Sequence, residues 1–391
     1  MTATLVVAWG PGELRAGLLE DDAVTELRIE REVSGSLVGA SFVGRIVKLQ
    51  PALSAGFVDL GLGQPGFLPL SRKTKTGLTE GQSIAAEIVK DARDNKPPEI
   101  KLCLDQTPAA APDPVPRRLG QARTAVERLL GSLEQVTLDR VVTNDADTLL
   151  ELRRALNRTL PAHPIDFHLE RTGDLLAHYD VETAFAAALA PVLPFASGGT
   201  LRIDQTSAGT MIDVDLGAGS KTKDSAERAI LAANLAATRE IARQLRWRNL
   251  GGTIVVDFIT MRNRGHRQQV WDALVAAAAA DSVPVQLHGW TRLGHIEMTR
   301  QRRRAALPDI VLDPARREPT PASLALQALA RISAAGPHPG PITLTVSAPV
   351  GEELAGPLAR YLDIAAERCG RKIMIIRQGA GTSTPMAIDG L

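Results

Sequence analysis

The sequence predicts a multidomain protein of mixed α+β and α/β character. Three observations lead there. A chain of 391 residues exceeds what one ordinary core fills. Residues 37–104 break into several short strands punctuated by Gly and Pro, the length and texture of a small five-stranded barrel. Residues 200–259 read strand, strand, long helix, strand, the alternation that builds a layered sheet.

Taken in order, residues 1–36 read as strand, turn, strand around Pro11-Gly12, and the barrel follows. Four prolines between Thr107 and Pro116 rule out a helix or a central strand, so residues 105–119 are expected to be an extended connector. Residues 120–195 then read as helix (Thr124 to Leu130), strand (Val136 to Val142), helix (Asp147 to Asn157), turn (Glu170 to Gly173) and helix (Val181 to Leu189). A unit over 196–307 holds strands at Leu201 to Asp204 and Thr210 to Asp215. Asp224 and Glu227 resemble a capping box, and Ile230, Ala233, Ala237, Ile241 and Leu245 keep the 3.6-residue period of a helix. Gly251-Gly252 ends that helix. Thr253 to Ile259 is a buried strand, His266 to Ala279 a helix and Val283 to Leu287 a strand. A second Pro-rich connector spans 308–321. Residues 322–391 close the chain as a small α/β unit with strands at Ile342 to Val346 and Lys372 to Ile376.

Composition excludes several classes. Apolar residues at 44% and charged residues at 23% describe a globular chain, not a disordered one. Runs such as Ala273 to Ala280 are too short to span a bilayer, and Leu5 to Trp9 begins a strand with no basic leader, so no membrane association and a cytoplasmic location are expected. Cys103 and Cys369 have no CxxC partner, which argues against an intrachain disulfide or thiolate zinc site; reduced thiols or a bridge between two chains remain. The net charge of +1 conceals clusters: Arg239, Arg243, Arg246 and Arg248; Arg262, Arg264 and Arg267; Arg300, Arg302, Arg303 and Arg304. Clustered arginine fits a polyanion partner, and it also fits solvated helix faces.

Chemistry concentrates where carboxylates interrupt apolar strands. Asp257 sits inside Ile254-Val-Val-Asp-Phe-Ile259, and Asp213 inside Met211-Ile-Asp-Val214. A lone carboxylate there costs several kcal/mol, roughly, unless it is paired or metal-bound. Asp215, two residues on, shares a face with Asp213. A strand–helix–strand unit brings its two strands into one sheet, where converging carboxylates suit a magnesium ion. The same spacing also suits aspartates that cap turns or pair with arginines.

At these residues the chain resembles the ribonuclease E/G family. The resemblance runs through Ile212-Asp-Val214, Asn234 to Arg246, Gly251 to Ile259 and Gly294 to Arg302, strings long enough to be specific. It implies that Asp213 and Asp257 bind a catalytic magnesium ion, in a subdomain like deoxyribonuclease I. Gly39 to Leu70 resembles the family's oligonucleotide-binding (OB-fold) barrel, with Phe57 and Phe67 as RNA-contacting aromatics and Lys96 as their basic partner. Stacking on aromatic faces is worth about 1–3 kcal/mol per base, and with aromatics at 3% of the chain two in one barrel carry weight. Barrel-core phenylalanines are the alternative. Residues 1–36 and 120–195 resemble a ribonuclease-H-like subdomain of structural role. Arg300 and Arg302 are assigned to RNA, as phosphate contacts near the transition state.

The resemblance therefore implies a magnesium-dependent endoribonuclease that cleaves single-stranded RNA in processing or decay, leaving 5′-phosphate and 3′-hydroxyl ends. Three departures qualify it. Asp215, counted with Asp213 and Asp257 among the catalytic residues, stands where the family has asparagine, either as a third metal ligand or as a repelling charge that weakens the site. The cysteine pair of the family's zinc link is missing, so no zinc is expected. A short bridge replaces the segment that reads the RNA 5′-monophosphate. Together they keep an alternative open: an RNA-binding member with lost or attenuated nuclease activity. A homodimer through 322–391 also stays open.

Overall fold

The computed structural model describes residues 2–33, 35–70, 77–92, 96–103, 114–133, 136–159, 163–171, 173–195, 198–216, 223–335, 340–378 and 386–390. Strands β1 (Ala3–Gly10), β2 (Glu13–Glu20) and β3 (Ala23–Arg31) form an antiparallel meander. The sequence reading had one turn here, at Pro11-Gly12. The second lies at Asp21 and Asp22, whose φ angles of 47° and 64° match a two-residue hairpin turn with both central residues left-handed. Aspartate tolerates that region, so a tight turn forms without glycine.

By contacts the chain divides into two compact units, residues 30–132 and residues 1–29 with 133–391. The first holds β4 (Ser41–Gln50), β5 (Ala55–Asp59), β6 (Gly66–Pro69), β7 (Ser83–Lys90) and β8 (Glu99–Leu102). They pair in the order β5-β6-β8-β7-β4, and β4 pairs back to β5, closing the five-stranded barrel that the alternation predicted. Phe42, Ile46, Val58, Leu68, Ile88 and Ile100 fill it. Arg117–Arg118 lie in the expected extended connector and form a short strand β9 on β4; residues 105–113 of that connector are outside the described residues. Helix α1 (Ala125–Gly131) starts at a capping box between Thr124 and Glu127.

The second unit continues through β10 (Arg140–Thr143), α2 (Ala146–Thr159), β11 (Asp166–Leu169), α3 (Leu175–His178), α4 (Val181–Leu189), β12 (Val192–Pro194) and β13 (Thr200–Gln205). Then come β14 (Thr210–Asp215), α5 (Lys223–Trp247), β15 (Gly252–Asp257), α6 (Arg264–Ala278), β16 (Val285–Trp290) and β17 (His295–Arg300). The chain ends with α7 (Leu307–Val311), α8 (Pro321–Ala334), β18 (Ile342–Val346), α9 (Ala348–Ala355), α10 (Ala359–Cys369), β19 (Ile373–Arg377) and β20 (Met386–Asp389). Among the described residues these strands form three sheets: β11-β10-β1-β2-β3, β12-β13-β14-β15-β17-β16 and β19-β18-β20.

Two prolines read as breakers turn out to start helices. Residues 308–321 are not a plain connector: Pro308 sits in the first turn of α7 and Pro321 in that of α8, where a missing N–H costs nothing. Leu307, Val311 and Leu312 pack into a core with Phe185 and Trp247. No helix among the described residues is long and apolar enough to cross a membrane.

The middle sheet positions the candidate site. Helix α5 lays Ala233, Ala237, Ile241 and Leu245, each at most 1% exposed, on Leu201, Ile212, Ile254 and Val256. Burial of each large aliphatic side chain is worth about 1.5–3 kcal/mol, which fixes one sheet face against the helices. The other face carries the polar half of each alternating strand, exposed at Met211, Asp213 and Asp215 on β14. Gly251 and Gly252 make the entry to β15 possible. Gly252 holds φ at +95°, and a Cβ at Gly251 would stand 2.8 Å from the Arg302 backbone.

Candidate active site and nucleic-acid surface

Strands β14 and β15 run parallel with Asp213 and Asp257 as direct register partners. The row extends both ways. Arg202 on β13 faces Asp213, and His295 on β17 faces Asp257. Register partners point to the same side, and neighbouring strands lie about 4.8 Å apart, so Arg202, Asp213, Asp257 and His295 cross the uncovered face in one line. The two aspartates sit at the C-terminal ends of the parallel pair, the usual place for a ligand in such a sheet.

Electrostatics follow from that line. Partial burial raises the Asp213 carboxyl above its ordinary pKa, the like charges of Asp257 and Asp215 raise it further, and Arg202 draws it back. His295 Nε2 lies 3.6 Å from Asp257 Oδ2, an ion pair only when the imidazole is protonated. Behind the row, the Asn234 side chain is fully buried. It donates to Ile259 O (2.8 Å) and accepts from Ile259 N (3.1 Å), tying α5 to the chain just past Asp257.

Two side-by-side carboxylates on an open face are a donor set that suits a hard divalent cation. Magnesium commonly takes one or two carboxylates and fills its remaining positions with water and phosphate oxygens. Mutual repulsion at Asp213 is the strain such a cation would relieve. Among the described residues, no group of three or more His, Cys, Asp or Glu side chains is arranged to hold a metal, so Asp215 stands near the pair without completing a three-ligand cluster.

The arginines need correction. Arg300 lies on the core face of β17 with Ile296 and Met298, and it is 4% exposed. Its Nε and Nη2 meet Asp281 at 2.9 and 3.1 Å, while Nη1 donates to Asn249 Oδ1 and Leu250 O. Its guanidinium is committed inward, so the expected phosphate contact does not hold. Arg302 is exposed and donates once, to Gly251 O at 3.0 Å. Arg300 pairs with Gly252, five residues from Asp257, which places it roughly 17 Å from the carboxylate row. Two arginines of the helix cluster also have partners within the fold. Arg248 is 2% exposed and bonds Gln244, Ala187 O and Ala190 O, its pKa lowered to about 10 by burial. Arg243 lies over the Trp247 ring and pairs with Glu240.

In the barrel unit, Phe57 and Phe67 are register partners on β5 and β6. Both are half-buried on the outer surface, since their neighbours Val58 and Leu68 take the core positions. Their ring centroids are 6.0 Å apart at 70°, an edge-to-face pair. Lys48 faces Phe57 across β4 and Glu99 faces Phe67 across β8, continuing the row. An open cleft of about 530 Å³ runs along Phe57, lined by Val47, Lys48, Gln64 and Pro65 among others. Lys96 is exposed on the stretch leading into β8; Asp94 and Asn95, read with it, are outside the described residues.

Arg202, His295 and Lys48 escaped the sequence reading. Alternation signalled two of them, Arg202 between buried Leu201 and Ile203 and His295 before buried Ile296, whereas Lys48, two residues past buried Ile46, faces outward only because the register shifts between Ile46 and Lys48.

The model of the ribonuclease E/G family matches residues 87–303, more than half of the chain. The chain belongs to the ribonuclease E/G family. Among its relatives in that family, ribonuclease G of Escherichia coli (strain K12) is 29% identical, with 80% of this chain and 82% of the relative covered. Ribonuclease G of Haemophilus influenzae is 27% identical over 78% of this chain and 80% of its own length. Ribonuclease E of Escherichia coli is 27% identical over 77% of this chain, which corresponds to 37% of that longer protein. The ribonuclease E/G match spans both the carboxylate row and the arginine segment up to Arg303.

Proposed function

We propose that this ribonuclease E/G family member is an endoribonuclease that cuts single-stranded RNA in processing or decay. The observation that carries the reading is the register pairing of Asp213 with Asp257 on an uncovered sheet face. The relatives' names, ribonuclease G and ribonuclease E, support the substrate class. Asp213 and Asp257 would hold a magnesium ion, which when bound supplies a polarised phosphodiester and an activated water. Deprotonated carboxylates are the form that binds, so Asp213 must release the proton that its neighbours help it keep. Asp215 adds negative charge beside the pair. Phe57 and Phe67 offer aromatic faces on which unpaired bases stack, and Lys48 and Lys96 offer charge to the backbone around them.

A second reading, RNA binding with attenuated cleavage, draws on Asp215: after burial and Asp257 its charge also raises the Asp213 pKa, and among the described residues no third side chain completes the two-carboxylate set. One assay separates the readings. The protein is incubated with an internally quenched single-stranded RNA and magnesium, beside Asp213→Ala and Asp257→Ala. We expect cleavage by the native chain, its loss with EDTA, and a fall of at least about a hundredfold in both variants. RNA binding without cleavage by the native chain supports the second reading. Undiminished cleavage by both variants overturns the first.

A further inference from the structure

A cation, Arg202, stands at the head of the carboxylate row. Arg202 is exposed on β13, in register with Asp213, and its neighbour on the other side is Val192 of the edge strand β12. Among the described residues its guanidinium makes no hydrogen bond and no ion pair, and it lowers the Asp213 pKa through space. Arg300 shows the contrast, with Asp281, Asn249 and Leu250 sharing its donors. Strand spacing puts the midpoint between Asp213 and Asp257 roughly 7 Å from the Arg202 backbone, within the reach of an extended arginine. The planar fork of a guanidinium matches two oxygens of one phosphate group.

We propose that Arg202 is a substrate-positioning residue: it grips the non-bridging oxygens of an RNA phosphate lying over the Asp213–Asp257 pair. The proposal rests on the endoribonuclease reading and deepens it by naming how the backbone is held. The same face carries the carboxylates Asp213, Asp215, Asp257 and Glu297, each of which repels an RNA phosphate. Arg202 offers the strand a point of attachment on β13, beside the carboxylates, and fixes which phosphate lies over them. Its competing role is internal, a counter-charge that merely eases crowding at Asp213.

The test measures binding apart from cleavage. Arg202→Ala and Arg202→Lys are compared with the native full-length chain for affinity to a fluorescein-labelled single-stranded RNA in EDTA, across a salt series. One lost phosphate contact lowers the slope of log affinity against log salt by about 0.7 for a single strand. We expect that loss, with roughly tenfold weaker binding at low salt, for Arg202→Ala. Arg202→Lys is expected to keep the slope while its kcat/KM with magnesium falls, because an ammonium carries the charge without the fork. An unchanged affinity and slope in Arg202→Ala, or a melting-temperature change as its only effect, overturns the proposal. If Arg202→Ala behaves as the native chain while Asp213→Ala and Asp257→Ala abolish cleavage, the endoribonuclease reading stands and this inference alone fails. If the native chain neither binds nor cleaves RNA, both fail.

Discussion

Asp213 faces Asp257 directly across the parallel pair β14–β15, and partial burial together with that like charge holds the Asp213 carboxyl above its ordinary pKa. The sign of the consequence is fixed by linkage. A carboxyl whose folded pKa is raised binds its proton more tightly in the folded state than in the unfolded chain. Its contribution favours folding at low pH and is lost as pH rises from the unfolded carboxylate range through the raised folded value. At neutral pH ionised Asp213 is a net cost. Asp213→Asn should therefore melt higher than the native chain at pH 7 in EDTA, and the difference should vanish below about pH 4. Solvent screening keeps the gain under about 1 kcal/mol, since the group is mostly exposed. Magnesium should raise the native melting temperature and leave that of Asp213→Asn nearly unchanged, because a ligand stabilises only the state that binds it. Melts by circular dichroism across pH check both; a higher native melting temperature at pH 7 in EDTA would contradict the repulsion.

The aromatic pair on the barrel gives a prediction that separates binding from folding. Phe57 and Phe67 sit outside the core that Val58 and Leu68 fill. Each alanine substitution should weaken single-stranded RNA binding by about 1–3 kcal/mol while the barrel stays folded. Because the two rings touch, the double variant should lose less than the sum. Fluorescence anisotropy with a short unstructured RNA measures the losses. Native affinity in the double variant would remove these rings from the RNA surface.

How much of this was legible can be read from single residues. Asp213 and Asp257 announced themselves because a carboxylate inside an apolar strand has no cheap alternative to a partner. Their adjacency followed from the strand–helix–strand order, although nothing in the sequence sets the register that makes them direct partners. Arg300 belongs to an arginine cluster by sequence, which suggests a phosphate surface, yet it is also the last residue of a strand, His295–Arg300. Its alternation, with Ile296 and Met298 buried, already sent Arg300 to the core side. The same alternation sends His295 to the face of Asp257. In the barrel, strand number and length were readable from Gly and Pro spacing, whereas closure depends on the non-local pairing of β4 with β5. The short α7 was hidden because proline reads equally as breaker and as first-turn residue.

The corrected role of Arg300 carries its own prediction. Arg300 and Asp281 side chains are each 3% exposed and joined at 2.9 and 3.1 Å. Removing one partner leaves a buried charge uncompensated, so Arg300→Ala should cost about 3–5 kcal/mol of stability. Arg302→Ala, which removes an exposed side chain with a single bond to Gly251 O, should cost under about 1 kcal/mol. Urea melts of the two variants measure the difference. Equal, small losses would mean that the buried pair contributes little.

Asp215 is the last carboxylate of β14, two residues beyond Asp213 on the same face and past the end of β15. It acts on Asp213 through charge, and among the described residues it belongs to no three-ligand group. Replacing it with asparagine keeps the shape and removes one repelling charge. The Asp213 carboxyl then gives up its proton at lower pH, so the acid limb of the cleavage profile should move downward. Cleavage at pH 7 should stay within about tenfold of the native rate, the effect of one pKa unit at most. A pH–rate profile of Asp215→Asn against the native chain decides it. Abolished cleavage at every pH would instead make Asp215 a ligand, because only a lost donor, and not a lost repulsion, silences the site under all conditions.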